Sequence, residues 1–165
     1  MSNKLHLKLF SLIIFILLAL PSYSKAAGEE LAVPDELKPL SFQEALDKGA
    51  KEKKPTMVYF WADWCPSCRY FNSQVLPDRD ILKTLDSSFA VVSVNTGSDT
   101  LELTKKWGIR SVPSFVFLDQ AGDPISVLPG AVDADTFVLV LNYISSGSYA
   151  NMEFDQYAQS LIENK

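Results

Sequence analysis

A chain of 165 residues with 47% hydrophobic composition is long enough for one packed core and too short for a second catalytic domain. Its net charge of −5 argues against nucleic acid as a partner, because that binding depends on a basic surface. One histidine, His6, and two cysteines, Cys65 and Cys68, cannot complete a four-ligand zinc site within one chain, and no metal or other cofactor is expected.

Lys4, His6 and Lys8 precede an apolar run from Leu9 to Leu20, and Pro21 with small residues at Ser22, Ser24, Ala26 and Ala27 follows it. This is the pattern of a secretory signal peptide over residues 1–24. The run is shorter than the roughly 18 residues a membrane-spanning helix needs. Ser22-Tyr23-Ser24 and Ser24-Lys25-Ala26 both suit cleavage, and neither precedes a cysteine, so no lipid anchor and no stable membrane anchor is expected afterwards. Cleavage moves the net charge from −5 to −7, since residues 1–24 hold Lys4 and Lys8 and no acid. It also removes His6, which excludes Ser-His and Cys-His hydrolytic machinery.

Residues 25–40 contain Gly28, Pro34 and Pro39 without periodicity and read as an extended lead-in to a domain over 41–146. Ser41-Phe42-Gln43-Glu44 is a capping box, predicting a helix over 42–52 before Pro55. Met57 to Ala62 is a continuous apolar run of strand length, expected in the middle of a sheet. A helix over 65–76 stops before Pro77, and Asp78 or Asp80 starts another carrying Ile81, Leu82 and Leu85. Residues 89–94 form the second buried strand. Ser98 or Asp99 caps a helix through Trp107, which Gly108 ends.

Ser114 to Leu118 is the third strand. The turn-rich 119–124 leads to a fourth over 125–128, an antiparallel neighbour. Asp133 or Asp135 opens a helix to Ser145. The order strand, helix, strand, helix, hairpin, helix predicts an α/β fold with a mixed sheet flanked by helices. Within the extension over 147–165, Phe154, Tyr157, Leu161 and Ile162 have helical spacing, predicting an extra C-terminal helix that packs on the domain.

Cys65-Pro66-Ser67-Cys68 follows the first buried strand. Thiols at i and i+3 on the first turn of a helix can close a small disulfide ring and reopen it with little backbone movement, as thiol–disulfide exchange requires. A structural staple fits poorly, because so short a loop hardly constrains the unfolded chain. Cys65, at the junction of strand and helix, faces unpaired amides and the positive end of the helix dipole. Both favour the thiolate, so Cys65 is expected to be the accessible, attacking sulfur and Cys68 the buried, resolving one.

Phe60-Trp61-Ala62-Asp63-Trp64-Cys65-Pro66-Ser67-Cys68 and Trp107-Gly108-Ile109-Arg110-Ser111-Val112-Pro113-Ser114-Phe115, with Gly130-Ala131 after the hairpin, resemble the thioredoxin superfamily over Phe42 to Ile144. Within it the chain looks most like exported members, the C-terminal domain of the thiol:disulfide interchange protein DsbD and SoxW-type thioredoxin-related proteins. The resemblance implies a thioredoxin fold and thiol–disulfide oxidoreductase activity. It also implies a cis Pro113 whose loop lies against the redox-active disulfide and presents backbone to an extended substrate. Trp64, Val112, Pro113 and Gly130 are then the expected substrate-binding residues. Trp61 fits the site or the core equally well, and Asp63 is adequately explained as an exposed turn carboxylate.

Three positions depart from the family. Tyr59 and Asn72 stand where relatives carry acids that help move the resolving thiol's proton, and Ser73 replaces a helix-kinking proline. A buried thiol without a base stays protonated, leaving water or Asp63 to serve Cys68. The expected partners are exported proteins with disulfides or thiols, with a membrane thiol reductant as electron donor. An oxidase or isomerase on the same fold is the alternative direction, because about 30 mV corresponds to only about 1.4 kcal/mol for this couple. A peptide-binding module with incidental cysteines is the remaining reading.

Overall fold

The computed structural model describes residue 37, residues 39–100 and residues 102–163. The expected signal peptide and most of the lead-in lie outside the described residues. Thr56–Trp61 forms β1, and all six of its residues are buried. Strand side chains alternate between faces, so such a strand must be covered on both. Ala90–Asn95 forms β2, Ser114–Leu118 β3 and Pro124–Pro129 β4, in spatial order β2-β1-β3-β4. β1 runs parallel to β2 and antiparallel to β3, and β3 runs antiparallel to β4. This is the expected thioredoxin fold, a mixed sheet flanked by helices.

The helices are α1 (Phe42–Glu52), α2 (Pro66–Tyr70), α3 (Arg79–Ser88), α4 (Leu103–Lys106), α5 (Ala134–Ser145) and α6 (Phe154–Glu163). Met57, Tyr59 and Trp61 of β1 share one core cluster with Phe115 and Phe117 of β3, the α2 segment, Ile81 and Leu85 of α3, and Phe137 and Leu141 of α5. Val58 and Phe60 face the other way, joining Ala45 of α1, Leu103 of α4, Val92 and Val116. Each fully buried Phe or Leu contributes about 1.5–3 kcal/mol, so the alternation of β1 anchors both layers. β4 is the exposed edge, with Pro124 and Pro129 at its ends limiting edge-to-edge pairing.

Several boundaries differ from expectation for local reasons. The lead-in ends in a parallel bridge between Leu40 and Val92, so part of it pairs with the outer side of β2. The helix expected over 65–76 is α-helical only to Tyr70 and then makes a π turn over Phe71–Val75. There the Ser73 hydroxyl donates to the Arg69 carbonyl at 2.8 Å, a side-chain bond that bends helices. The helix expected from residue 98 shrinks to α4, because Glu102 adopts a left-handed φ of 51°. Asp99 still serves it, accepting from the Thr104 amide at 2.7 Å. Asp78, rather than Asp80, caps α3.

α6 docks less fully than its periodicity suggests. Phe154 and Tyr157 pack on Tyr143 at 5.5 and 5.3 Å, and the Tyr143 hydroxyl donates to the Met152 carbonyl at 2.7 Å. Leu161 and Ile162 remain exposed, so only the first turns of α6 are held. No helix among the described residues is long and apolar enough to cross a membrane.

The α1–β1 corner is tight: a Cβ on Gly49 would lie 2.9 Å from the Lys54 carbonyl oxygen and 3.1 Å from Thr56 Oγ1. Gly49→Ala should therefore destabilise the fold by about 1–3 kcal/mol through overpacking, despite alanine's better helix propensity. Urea unfolding checks this, and an unchanged or raised midpoint would contradict it.

Candidate active site

The chain leaves β1 at Trp61 and enters α2 through a junction tied from two sides. From the sheet, the Thr96 amide donates to the Trp61 carbonyl at 2.8 Å and Asn95 Nδ2 donates to the Asp63 carboxylate at 3.0 Å. From the helix, Arg69 Nη1 donates to the Asp63 carbonyl at 3.0 Å. The Cys65 amide reaches back to the Ala62 carbonyl at 3.1 Å. These bonds fix where Cys65 begins the helix.

Cys65 is the N-cap of α2, and its sulfur accepts from the Cys68 amide at 3.0 Å. An N-cap is normally a side-chain oxygen that satisfies one of the helix's free amides; here Sγ takes that position. Ser67 Oγ lies 3.4 Å from the same sulfur, and the Val112 carbonyl oxygen lies 3.4 Å away from the opposing loop. That carbonyl can accept from a thiol but not from a thiolate, whereas the amide and the hydroxyl serve the anion. Pro66 follows as the first helical residue, where its missing N–H costs nothing.

Cys65 and Cys68 are joined as a disulfide with a Cα–Cα distance of 5.3 Å. Cys68 is fully buried in the cluster that includes Phe71, Phe115 and Phe137, where burial disfavours a charged sulfur. The pair is thus asymmetric, one sulfur among donors and the other among rings. Cys65 itself is only 1% exposed, so the expected accessibility is not met in this state. The first turn of α2 and the loop carrying Val112 lie against it.

The opposing loop is built by α4 and β3. Gly108 takes a left-handed φ of 62°, the Ile109 amide closes on the Thr104 carbonyl at 2.8 Å, and Ser114 Oγ donates to the Ser111 carbonyl at 2.8 Å. The Val112–Pro113 peptide is cis. The Gly130 amide donates to the Pro113 carbonyl at 2.8 Å, which places Gly130 beside this loop. Its φ of 84° requires glycine there, and the space where a Cβ would stand is open.

Trp64 is 73% exposed and lines a cleft of about 250 Å³ with Thr96, Thr104, Ile109, Arg110, Ser111 and Val112. The fold therefore gathers Trp64, Cys65, Cys68, Val112, Pro113 and Gly130 at one end of the sheet. Trp61 belongs to the core, buried with its Nε1 donating to Ser93 Oγ at 2.8 Å. Asp63 has its carboxylate engaged by Asn95.

Two contacts lay beyond the sequence reading. Ser67, given no role there, brings its hydroxyl to 3.4 Å from the Cys65 sulfur; its place on the first helical turn beside the cap was the available signal. Tyr59 and Asn72 prove to be partners, with the phenol donating to Asn72 Oδ1 at 2.8 Å. Burial pushes the Tyr59 phenol well above its ordinary range, the bond to Asn72 opposing the shift only in part. Position 59 on the inward face and position 72 four residues beyond Cys68 were the clue that they meet.

A strand–helix junction carrying a Cys-x-x-Cys disulfide opposite a cis-proline loop defines a class of thiol–disulfide exchange proteins. The thioredoxin-like domain family matches residues 42–145, and the chain belongs to that family. It is 37% identical over 92 residues to a thioredoxin of Pyropia yezoensis, covering 55% of this chain and 81% of that protein. It is 30% identical over 107 residues to the thiol:disulfide interchange protein DsbD of Citrobacter koseri, covering 61% of this chain but 19% of that protein. The solved C-terminal domain of Neisseria meningitidis DsbD in its reduced form superposes with a TM-score of 0.52 at 26% identity, covering 62% of this chain and 92% of that one. With these relatives and the Cys65–Cys68 pair, the chain is a thiol–disulfide oxidoreductase.

Ser67→Ala removes one donor from the Cys65 sulfur and leaves the Cys68 amide in place. Alkylation of the reduced protein by iodoacetamide, followed against pH, should shift its midpoint upward, because the thiolate loses a hydrogen bond. An unmoved midpoint would mean that the hydroxyl does not reach the anion.

Proposed function

We propose that this protein is exported and reduces disulfides of other exported proteins through the Cys65–Cys68 dithiol. The observation that carries the proposal is the Cys65 sulfur in the N-cap position, with the Cys68 amide and the Ser67 hydroxyl directed at it. The apolar run from Leu9 to Leu20 with its small-residue flank supports export to the periplasm or an equivalent compartment. The likeness to DsbD proteins, one of them a thiol:disulfide interchange protein by name, supports the exchange role.

In this reading the Cys65 thiolate attacks one sulfur of a substrate disulfide. A bond from Cys65 to that sulfur forms, the substrate S–S bond breaks, and the second substrate sulfur leaves as a thiolate. Cys68 then gives up its proton, and its sulfur attacks Cys65, closing the internal disulfide and releasing the first substrate sulfur. Two electrons have passed to the substrate, and a membrane thiol reductant supplies two more to reopen the Cys65–Cys68 disulfide, its own thiols becoming oxidised, since an oxidising compartment offers no soluble supply.

Trp64 and Val112 form the apolar lip against which the substrate segment lies, with Pro113 and Gly130 as the adjoining wall. The Pro113 carbonyl is already taken by Gly130, so the Val112 backbone is the part of the loop left to meet a substrate strand. Because Cys65 is covered by this loop, a substrate approaches from the Trp64 side.

Purified protein given dithiothreitol should accelerate precipitation of reduced insulin, Cys65→Ser should abolish the acceleration, and Cys68→Ser should accumulate mixed disulfides visible on non-reducing gels. Direction is read in cells by trapping the thiols with an alkylating reagent. The pair should be mostly reduced when a membrane thiol reductant is present and oxidised when it is deleted. A pair oxidised in both backgrounds would contradict the reductive role and favour an oxidase.

A further inference from the structure

The hydrogen bond between Tyr59 and Asn72 connects the two pieces of chain that carry the two sulfurs. Tyr59 lies on β1, the strand that runs into the Cys65 junction. Asn72 lies in the π turn that continues the helix of Cys68, four residues beyond it, a spacing that places side chains on one helix face. The Tyr59 ring stacks on Phe115 at 5.0 Å and 11° and leans on Phe71 at 5.8 Å. Phe71 and Phe115 each meet Phe137 of α5 at 5.0 Å. The phenol therefore emerges from a wall of rings, and its hydroxyl ends on Asn72 at 2.8 Å.

The regular i→i−4 ladder does not carry through this stretch: the Leu76 amide bonds to the Phe71 carbonyl at 2.8 Å. The hydrogen-bond register of the helix therefore changes just beyond Cys68, in the turn that carries Asn72. Tyr59 is placed to hold that turn. Burial keeps the phenol protonated far above neutral pH, so the tie persists across the range in which thiols exchange.

We propose that Tyr59 and Asn72 are positioning residues, a neutral brace that sets the depth and rotation of Cys68 for its attack on the Cys65 sulfur in a mixed disulfide. The proposal rests on the exchange reading above. The brace takes no proton and no electron in the step: Cys68 loses its proton to solvent, its sulfur bonds to Cys65, and the departing thiolate carries off the electron pair of the broken bond. The contribution lies in alignment, which governs the intramolecular second step and leaves the first, bimolecular one untouched.

Reduced protein mixed with dithiobis(nitrobenzoate) in a stopped-flow instrument separates the two. Release of the first nitrothiobenzoate scales with reagent concentration, and release of the second, as Cys68 closes on Cys65, does not. Tyr59→Phe should leave the first phase unchanged and slow the second about tenfold, as a small misplacement of reacting groups does. Tyr59→Phe combined with Asn72→Leu removes both members of this hydrogen bond, so neither is left facing the lost polar group of the other. The slow second phase should remain in that double variant, which also serves if the single variant folds poorly.

A second phase of wild-type speed in Tyr59→Phe, or one restored together with thermal stability in the double variant, would overturn the proposal and reduce the bond to packing. Wild-type protein that releases no nitrothiobenzoate would overturn the exchange reading itself, and the brace with it.

Discussion

The helix that starts at Pro66 leaves its first amides without intrahelical partners, and the Cys65 sulfur takes one of them at 3.0 Å. A cap must sit outside the helix yet point into its first turn. That constraint forces the sulfur to stand where the backbone's positive end is concentrated. A capping oxygen would merely stabilise the helix, while a capping sulfur has its own chemistry changed, because the donors favour its anion. Cys68, one turn on, is held in the apolar core by the same helix. The two sulfurs differ through where one short helix places them.

The rest of the fold keeps that placement fixed. β1 is buried on both faces, so the junction after Trp61 moves only if the sheet moves. Asn95, Thr96 and Arg69 bind the junction from opposite sides. The loop carrying Val112 and Pro113 is held between α4 and β4 by the Ile109 and Gly130 amides. Exchange chemistry needs sulfurs that trade partners within a few ångströms, and a rigid surround confines the change to bonds between sulfurs.

Most of this order was legible in the amino-acid pattern. The apolar run through Met57–Ala62 and the alternating demands of its two faces fixed the central strand, and Ser41 with Glu44 marked the first helix, whose capping box is present. The cysteine spacing and its place after a buried strand pointed to the chemistry, and Trp64, Val112, Pro113 and Gly130, which the family resemblance implied, lie at the end of the sheet that holds the cysteines. What escaped was what spacing cannot encode. The π turn at Phe71–Val75 depends on how Ser73 bonds back into the helix, and the truncation of α4 depends on a left-handed Glu102. Burial of Cys65 depends on how closely the Val112 loop lies against it. Tyr59 and Asn72 each read as a loss, because a pattern compares positions one at a time; their hydrogen bond exists only in three dimensions.

Ultraviolet titration of thiolate absorbance in the fully reduced protein tests the central claim most directly. One sulfur should ionise well below the value of about 8.5 for free cysteine, and that early step should vanish in Cys65→Ser and persist in Cys68→Ser. If neither sulfur ionises before free cysteine does, the N-cap placement does not activate Cys65, and the account of the site is wrong.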